Sequence, residues 1–175
     1  MKKLLIGVIF LSNLQAQSKY CPITYKQIST LYKARHYGSR VKIKETNESL
    51  KYTFIALTGK ESAYGRDRAN YVSGCFGVGN IRLGTYMDYH HIPKTQNNMS
   101  KYTRLLQSND HINFQAMEEN LKGWIKYHRY RYRGRWRIPW KRVYASYYAG
   151  TDWKKGIEYA NDIICRIKWA KSKGY

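Results

Sequence analysis

Toward the C-terminus, apolar side chains fall at Trp153, Ile157, Ala160, Ile164 and Ile167, while Lys154, Lys155, Glu158, Asp162, Arg166 and Lys168 occupy positions between them. A helix turns about 100° per residue, so this spacing gathers the apolar set into one stripe that a core must cover. The pattern recurs. Phe114, Met117, Leu121, Trp124 and His128 share a second face, with Asn113 placed to cap it as Asp152 is placed ahead of Trp153. A shorter helix is expected near Ile28 and Leu31, and another from Ser49 to Ser62, where Ser49 can cap and Leu50, Phe54 and Leu57 make the stripe. Strand signals are sparse, and repeats and low-complexity stretches are absent from the sequence, so the expected class is mainly α.

Lys2 and Lys3 precede an apolar run from Leu4 to Leu14, followed by Gln15 and Ala16, which reads as a secretory signal peptide over residues 1–16. The run is shorter than the roughly 20 residues a spanning helix needs, so no stable membrane insertion is expected after cleavage. Residues 17–175 then form one domain, since no Pro/Gly/Ser-rich linker divides them. The whole chain has a net charge of +21, and loss of Lys2 and Lys3 leaves it strongly basic. Such a chain seeks polyanions: nucleic acid, anionic lipid or the carboxylate-bearing peptides of a cell wall. Export favours the wall and a periplasmic location.

Export would also bring Cys21, Cys75 and Cys165 into an oxidising compartment, where three single pairings are open. A Cys21–Cys165 bridge is the expected one, because closing so long a loop restrains the unfolded chain by roughly 4 to 5 kcal/mol.

Glu61 continues the stripe of the Ser49–Ser62 helix, lying roughly 20° from Leu50 and Phe54 and 40° from Leu57 around the axis. A carboxyl that ends a core-facing side is desolvated, and its pKa is expected to rise. The bland alternative is a glutamate in a frayed last turn, facing solvent. Beyond it the chain turns glycine-rich, with Gly65, Gly74, Gly77, Gly79 and Gly84, and reads as a loop that lets a ligand approach the backbone. It follows no evident strand, so a nucleotide-binding fingerprint is not met. From Lys126 to Arg142, tyrosines and tryptophans alternate with lysines and arginines. Such a run suits nucleic acid, or sugar faces with carboxylates, or simply a solvated basic helix end. The five histidines show no metal-ligand spacing, so no metal or cofactor is expected.

Three blocks occur in order: Lys60-Glu61-Ser62-Ala63-Tyr64, then Ser73-Gly74-Cys75-Phe76-Gly77-Val78-Gly79-Asn80-Ile81, then Ala145-Ser146-Tyr147-Tyr148-Ala149-Gly150. Together they resemble the soluble lytic transglycosylase family, and most closely its small members that serve secretion systems. The resemblance implies a lysozyme-like single domain in which the glycine-rich loop lines a substrate cleft. It implies cleavage of the β-1,4 bond between N-acetylmuramic acid and N-acetylglucosamine in peptidoglycan, with a 1,6-anhydro end as product. Glu61 matches the family's catalytic acid, Ser73 the serine ahead of the glycine turn, and Tyr147 the tyrosine that supports the glutamate. Asn80 stands where the family has Gln, Gly79 where it has Met, and Tyr148 where it has Asn. Ser73, Asn80, Tyr147 and Tyr148 are thus the implied substrate-binding residues. Glycan strands and components of an envelope secretion system are the implied partners, and no nucleic acid is expected. Two rivals remain: a lysozyme-like hydrolase, with Asp67 or Asp88 as the second carboxylate it needs, and a basic wall- or nucleic-acid-binding module without catalysis.

Overall fold

The structure, a computed structural model, describes residues 24–175. The proposed signal peptide and Cys21 lie outside the described residues. Mainly helical architecture is observed. In chain order the elements are α1 (Tyr25–Arg40), α2 (Lys51–Ser62), β1 (Ala69–Asn70), β2 (Cys75–Phe76), β3 (Ile81–Arg82), α3 (Leu83–Tyr89) and α4 (Gln96–Ser108). There follow α5 (Asp110–His128), β4 (Tyr130–Tyr132), β5 (Arg135–Arg137), α6 (Trp140–Ala149), a 3-10 turn (Trp153–Gly156) and α7 (Ile157–Ser172).

Helix α2 is the centre of the molecule. Every residue from Thr53 to Gly59 is buried, so the helix is covered all round rather than along one stripe. Helices α1 and α7 pack against it, and α6 joins α7 to α5. Leu50, Phe54 and Leu57 lie in the main core with Phe114, Met117, Leu121, Val143 and Ile163. Each such side chain contributes about 1.5–3 kcal/mol by leaving water. Ser49 is not the cap of α2: Leu50 is the boundary residue and brings no side-chain cap bond, although the Lys51 N–H donates to the Ser49 hydroxyl at 3.3 Å.

Other local expectations are corrected. The helix near Ile28 and Leu31 is not short but runs 16 residues, opened by a reciprocal capping box between Thr24 and Gln27. Asn113 does not cap α5, because the helix begins earlier and Asn109 is its cap, accepting the Ile112 N–H at 3.1 Å. Asn113 is instead buried one turn inside. Asp152 leads into a 3-10 turn without a side-chain cap, and α7 starts only at Ile157. On α7 the residues Ile157, Ile164 and Ile167 are half-buried at the edge, while Tyr159, Ala160, Ile163, Arg166 and Ala170 face inward. The helix sits in the angle between α2 and α6, and that placement rotates its buried line away from the purely apolar one.

The glycine-rich stretch holds a small antiparallel sheet, β1-β2-β3, pairing Ala69 with Phe76 and Phe76 with Ile81. Two-residue strands leave no periodic signal to read. Asn113 anchors this sheet to α5: its Nδ2 donates to the Phe76 carbonyl at 2.9 Å and the Leu106 carbonyl at 3.3 Å, and its Oδ1 accepts the Gly79 N–H at 2.6 Å. Gly77 is required where these meet, since its φ is +83° and a Cβ would overlap both the Asn113 amide and the Leu106 carbonyl. Gly77→Ala should lower the melting temperature by several degrees while Gly84→Ala, in open space, should not, as thermal unfolding would show.

The basic run is also not all helix. After α5 ends at His128, β4 and β5 form an exposed hairpin, turning at Arg133 and Gly134 with φ of +48° and +73°. Two successive positive φ values suit a tight two-residue hairpin turn.

Candidate functional site

Helix α2 delivers Glu61 to its last turn, and the backbone then reverses through Ala63 and Tyr64 in the left-handed region. Ser62, 1% exposed, fixes this exit. Its hydroxyl donates to the Val78 carbonyl at 2.8 Å and accepts the Gly65 N–H at 2.9 Å, so the end of α2 is tied to the glycine-rich segment. Gln27 of α1 adds a bond from Nε2 to the Ala63 carbonyl at 2.9 Å. Glu61 therefore does not sit in a frayed turn.

The Glu61 carboxyl enters a cleft of about 1060 Å³ and is held there by two neutral groups. The Tyr159 phenol donates to Oε1 and Asn80 Nδ2 donates to Oε2 at 3.3 Å. Desolvation raises the Glu61 pKa, and these two hydrogen bonds, followed by the charges of Lys60 and Arg166, lower it without cancelling the rise. No cation lies within ion-pair distance of it among the described residues. Lys60 instead pairs with Asp162 at 2.8 Å, and Asp162 also meets Arg166 at 3.4 Å.

All four residues implied for substrate contact line the same cleft as Glu61, in different roles. Asn80, held at φ +50°, turns its amide to Glu61 itself. Tyr147 is corrected as the support of the glutamate: its phenol donates to the Gly79 carbonyl at 3.4 Å. It stays close enough that burial and the Glu61 charge together push its pKa well up. The supporting phenol is Tyr159 of α7, a residue that lies outside both the apolar stripe of that segment and the three sequence blocks. Tyr148 stacks on that ring, centroids 5.0 Å apart and planes 14° apart, and is itself 67% exposed where it lines the cleft. Ser73 is exposed on the cleft wall, its N–H and hydroxyl bonded to Asn70 and its carbonyl accepting from the Cys75 thiol, with no bond to Glu61. Gly79 has a packing reason: Met117 of α5 fills the space a side chain there would need.

Tyr86, Tyr89, Trp124 and Tyr127 add aromatic surface to the lining of the same cleft. One further acid, Glu119, lines it and is bonded to His90 Nε2 at 3.1 Å. Asp67 and Asp88 do not reach it; each is exposed in a pair, with Arg66 at 3.0 Å and Lys94 at 2.6 Å. His128, whose pKa is lowered by burial and then by Arg142, bonds the buried Ser146 hydroxyl at 2.7 Å and links α5 to α6. Cys75 and Cys165 carry free thiols among the described residues, and Cys75 reaches the cleft wall. No cluster of His, Cys, Asp and Glu suited to a metal ion exists among the described residues, nor any helix long and apolar enough to cross a membrane.

Fold and site together define a mainly helical domain that carries one desolvated carboxyl, held by a phenol and an amide, in an aromatic-walled cleft. Comparison with protein-family models, with curated proteins and with solved structures returns no match.

Proposed function

We propose that the chain is a peptidoglycan lytic transglycosylase of lysozyme-like fold. It cuts the β-1,4 bond between N-acetylmuramic acid and N-acetylglucosamine and leaves a 1,6-anhydromuramic end. One observation supports this above the rest: in a chain with 32 Lys and Arg, the Glu61 carboxyl at the cleft is clamped by two neutral donors instead of a cation. A cation would pin the carboxylate in its charged form. A phenol and an amide orient the group and leave it able to hold a proton.

Protonated Glu61 gives its proton to the departing glycosidic oxygen, and the bond from that oxygen to the anomeric carbon breaks. The substrate's own N-acetyl group stabilises the cationic centre. The Glu61 carboxylate, now accepting from Tyr159 and Asn80, then takes the proton of the muramic C6 hydroxyl as that oxygen bonds to the anomeric carbon. The nucleophile belongs to the same sugar, so its effective concentration exceeds that of water in a sheltered cleft. One carboxyl serves both steps.

Acid function fails as pH rises through the Glu61 pKa, so the alkaline limb of the rate profile reports that group. Tyr159→Phe removes a hydrogen bond that lowers this pKa, and the limb should therefore move to higher pH. The rate at the optimum should fall by roughly tenfold to a hundredfold as the carboxyl loses its orientation. A pH-rate series on sacculi measures both.

Glu119 favours one rival, the hydrolase, because it is a second carboxyl on the same cleft. Product analysis decides between them. Digested sacculi should release muropeptides with anhydro ends; reducing ends, lost on Glu119→Gln, would assign hydrolysis. The leader at residues 1–16 places the protein in the periplasm in this proposal, and its task is local wall opening for a secretion apparatus. Pull-down from periplasmic extract should then recover an envelope component.

A further inference from the structure

The basic hairpin has two unlike faces. Residues directly opposite each other in a ladder share a face, so Arg131 and Trp136 lie on one, and Tyr130, Arg137, Tyr132 and Arg135 on the other. The first face is satisfied internally. The guanidinium groups of Arg129 and Arg131 lie 4.6 and 4.9 Å from the Trp136 ring centre, and Arg129 is also paired with Glu45. The second face is open to solvent: Tyr130 and Tyr132 are 53% and 52% exposed, each opposite an exposed arginine, and the Arg133 guanidinium lies 5.3 Å from the Tyr132 ring centre. No acid occurs between residues 126 and 142, and none of Arg131, Arg133, Arg135 and Arg137 forms an ion pair among the described residues. Along the chain the hairpin follows the cleft wall, beginning at Tyr130 shortly after Tyr127, which lines the cleft.

From this geometry we infer that the Tyr130–Arg137 face is a docking surface for the free carboxylates of the peptide stems in the wall, outside the cleaving cleft. Planar guanidinium forks bind carboxylates in two parallel hydrogen bonds, and phenols beside them give a flat, semi-apolar platform for the stem backbone. A glycan strand lying in the cleft carries such stems along its length, so strand and hairpin engage at once. The choice of occupant rests on the glycan-cleaving reading of the cleft.

The test uses the purified chain bearing Glu61→Gln, which binds without cutting, sedimented with intact sacculi and with glycan strands stripped of their stems by an amidase. Adding Arg135→Gln and Arg137→Gln should weaken pelleting with sacculi about tenfold, with unchanged circular dichroism. Arg135→Lys with Arg137→Lys should recover only part of the binding, since the charge remains but the two-bond fork is lost. Stripped strands should bind as weakly to the parent as sacculi do to the double Gln variant. Equal binding of stripped and intact material would overturn the inference, as would a double Gln variant that pellets normally. Tighter binding of a single-stranded oligonucleotide than of sacculi would assign the face to nucleic acid instead. Failure of the enzymatic reading is a separate result: Glu61→Gln protein that clears sacculi at the parent rate.

Discussion

Glu61→Gln is expected to reduce the release of soluble fragments from sacculi by about a thousandfold, the scale of a lost general acid and base. The amide keeps the shape of the carboxyl and can still accept from Tyr159, so the cleft should survive. What disappears is the exchangeable proton on which both steps depend. The same variant should be more stable than the parent at neutral pH. Because burial raises the Glu61 pKa, the folded chain binds this proton more tightly than the unfolded chain does. The stability tied to it is therefore present at low pH and is lost as pH rises through the folded pKa. Gln carries no charge at any pH, so its gain in melting temperature should be seen at neutral pH and shrink on acidification. Full activity in the variant would remove the catalytic assignment; a stability gain independent of pH would remove the desolvation argument.

Asn113→Leu should cost about 3 kcal/mol or more and lower the melting temperature by roughly 10 °C. Leu has the branched shape of Asn and suits a helix, so an exposed helical position would tolerate it. Here three backbone groups, the Gly79 N–H and the carbonyls of Phe76 and Leu106, would lose their partner inside the protein. Each orphaned buried group costs about 1–3 kcal/mol. Activity should fall as well, because Asn80 and its amide follow directly on Gly79. Differential scanning calorimetry beside the sacculus assay separates the two losses. A variant as stable as the parent would show that the sheet is held to α5 by packing alone.

The helices of the core were readable because their signals are local. Leu50, Phe54 and Leu57 announce α2 by spacing, and Glu61 ends that stripe in the sequence as it does in space. The strands were not readable, since β1 to β3 are two residues each and β4 and β5 three. Their existence depends on Asn113 and on the turn at Arg133-Gly134, neither of which is a periodic feature. Asn113 itself looked like a cap because Asn commonly caps; four residues' difference in where α5 begins turned it into a buried bracket.

Within the site, the family resemblance of the three blocks grouped Glu61, Ser73, Asn80, Tyr147 and Tyr148, and all five line one cleft. The resemblance was not enough to say which of them touch. Tyr147 and Tyr159 are both aromatic residues on C-terminal helices, and nothing local distinguishes the phenol that reaches Glu61 from the one that bonds Gly79. Likewise Asp67 and Asp88 stand nearer to Glu61 in sequence than Glu119 does, yet Glu119 shares its cleft. Sequence alone determined the helical class, the basic charge and the acid at the end of α2, because periodicity, composition and residue type are properties of short stretches. The tertiary structure decided the partners of that acid, the second carboxyl, and the hairpin. These depend on how α5 and α7 are set against α2, and an angle between helices is fixed by the packing of many side chains at once.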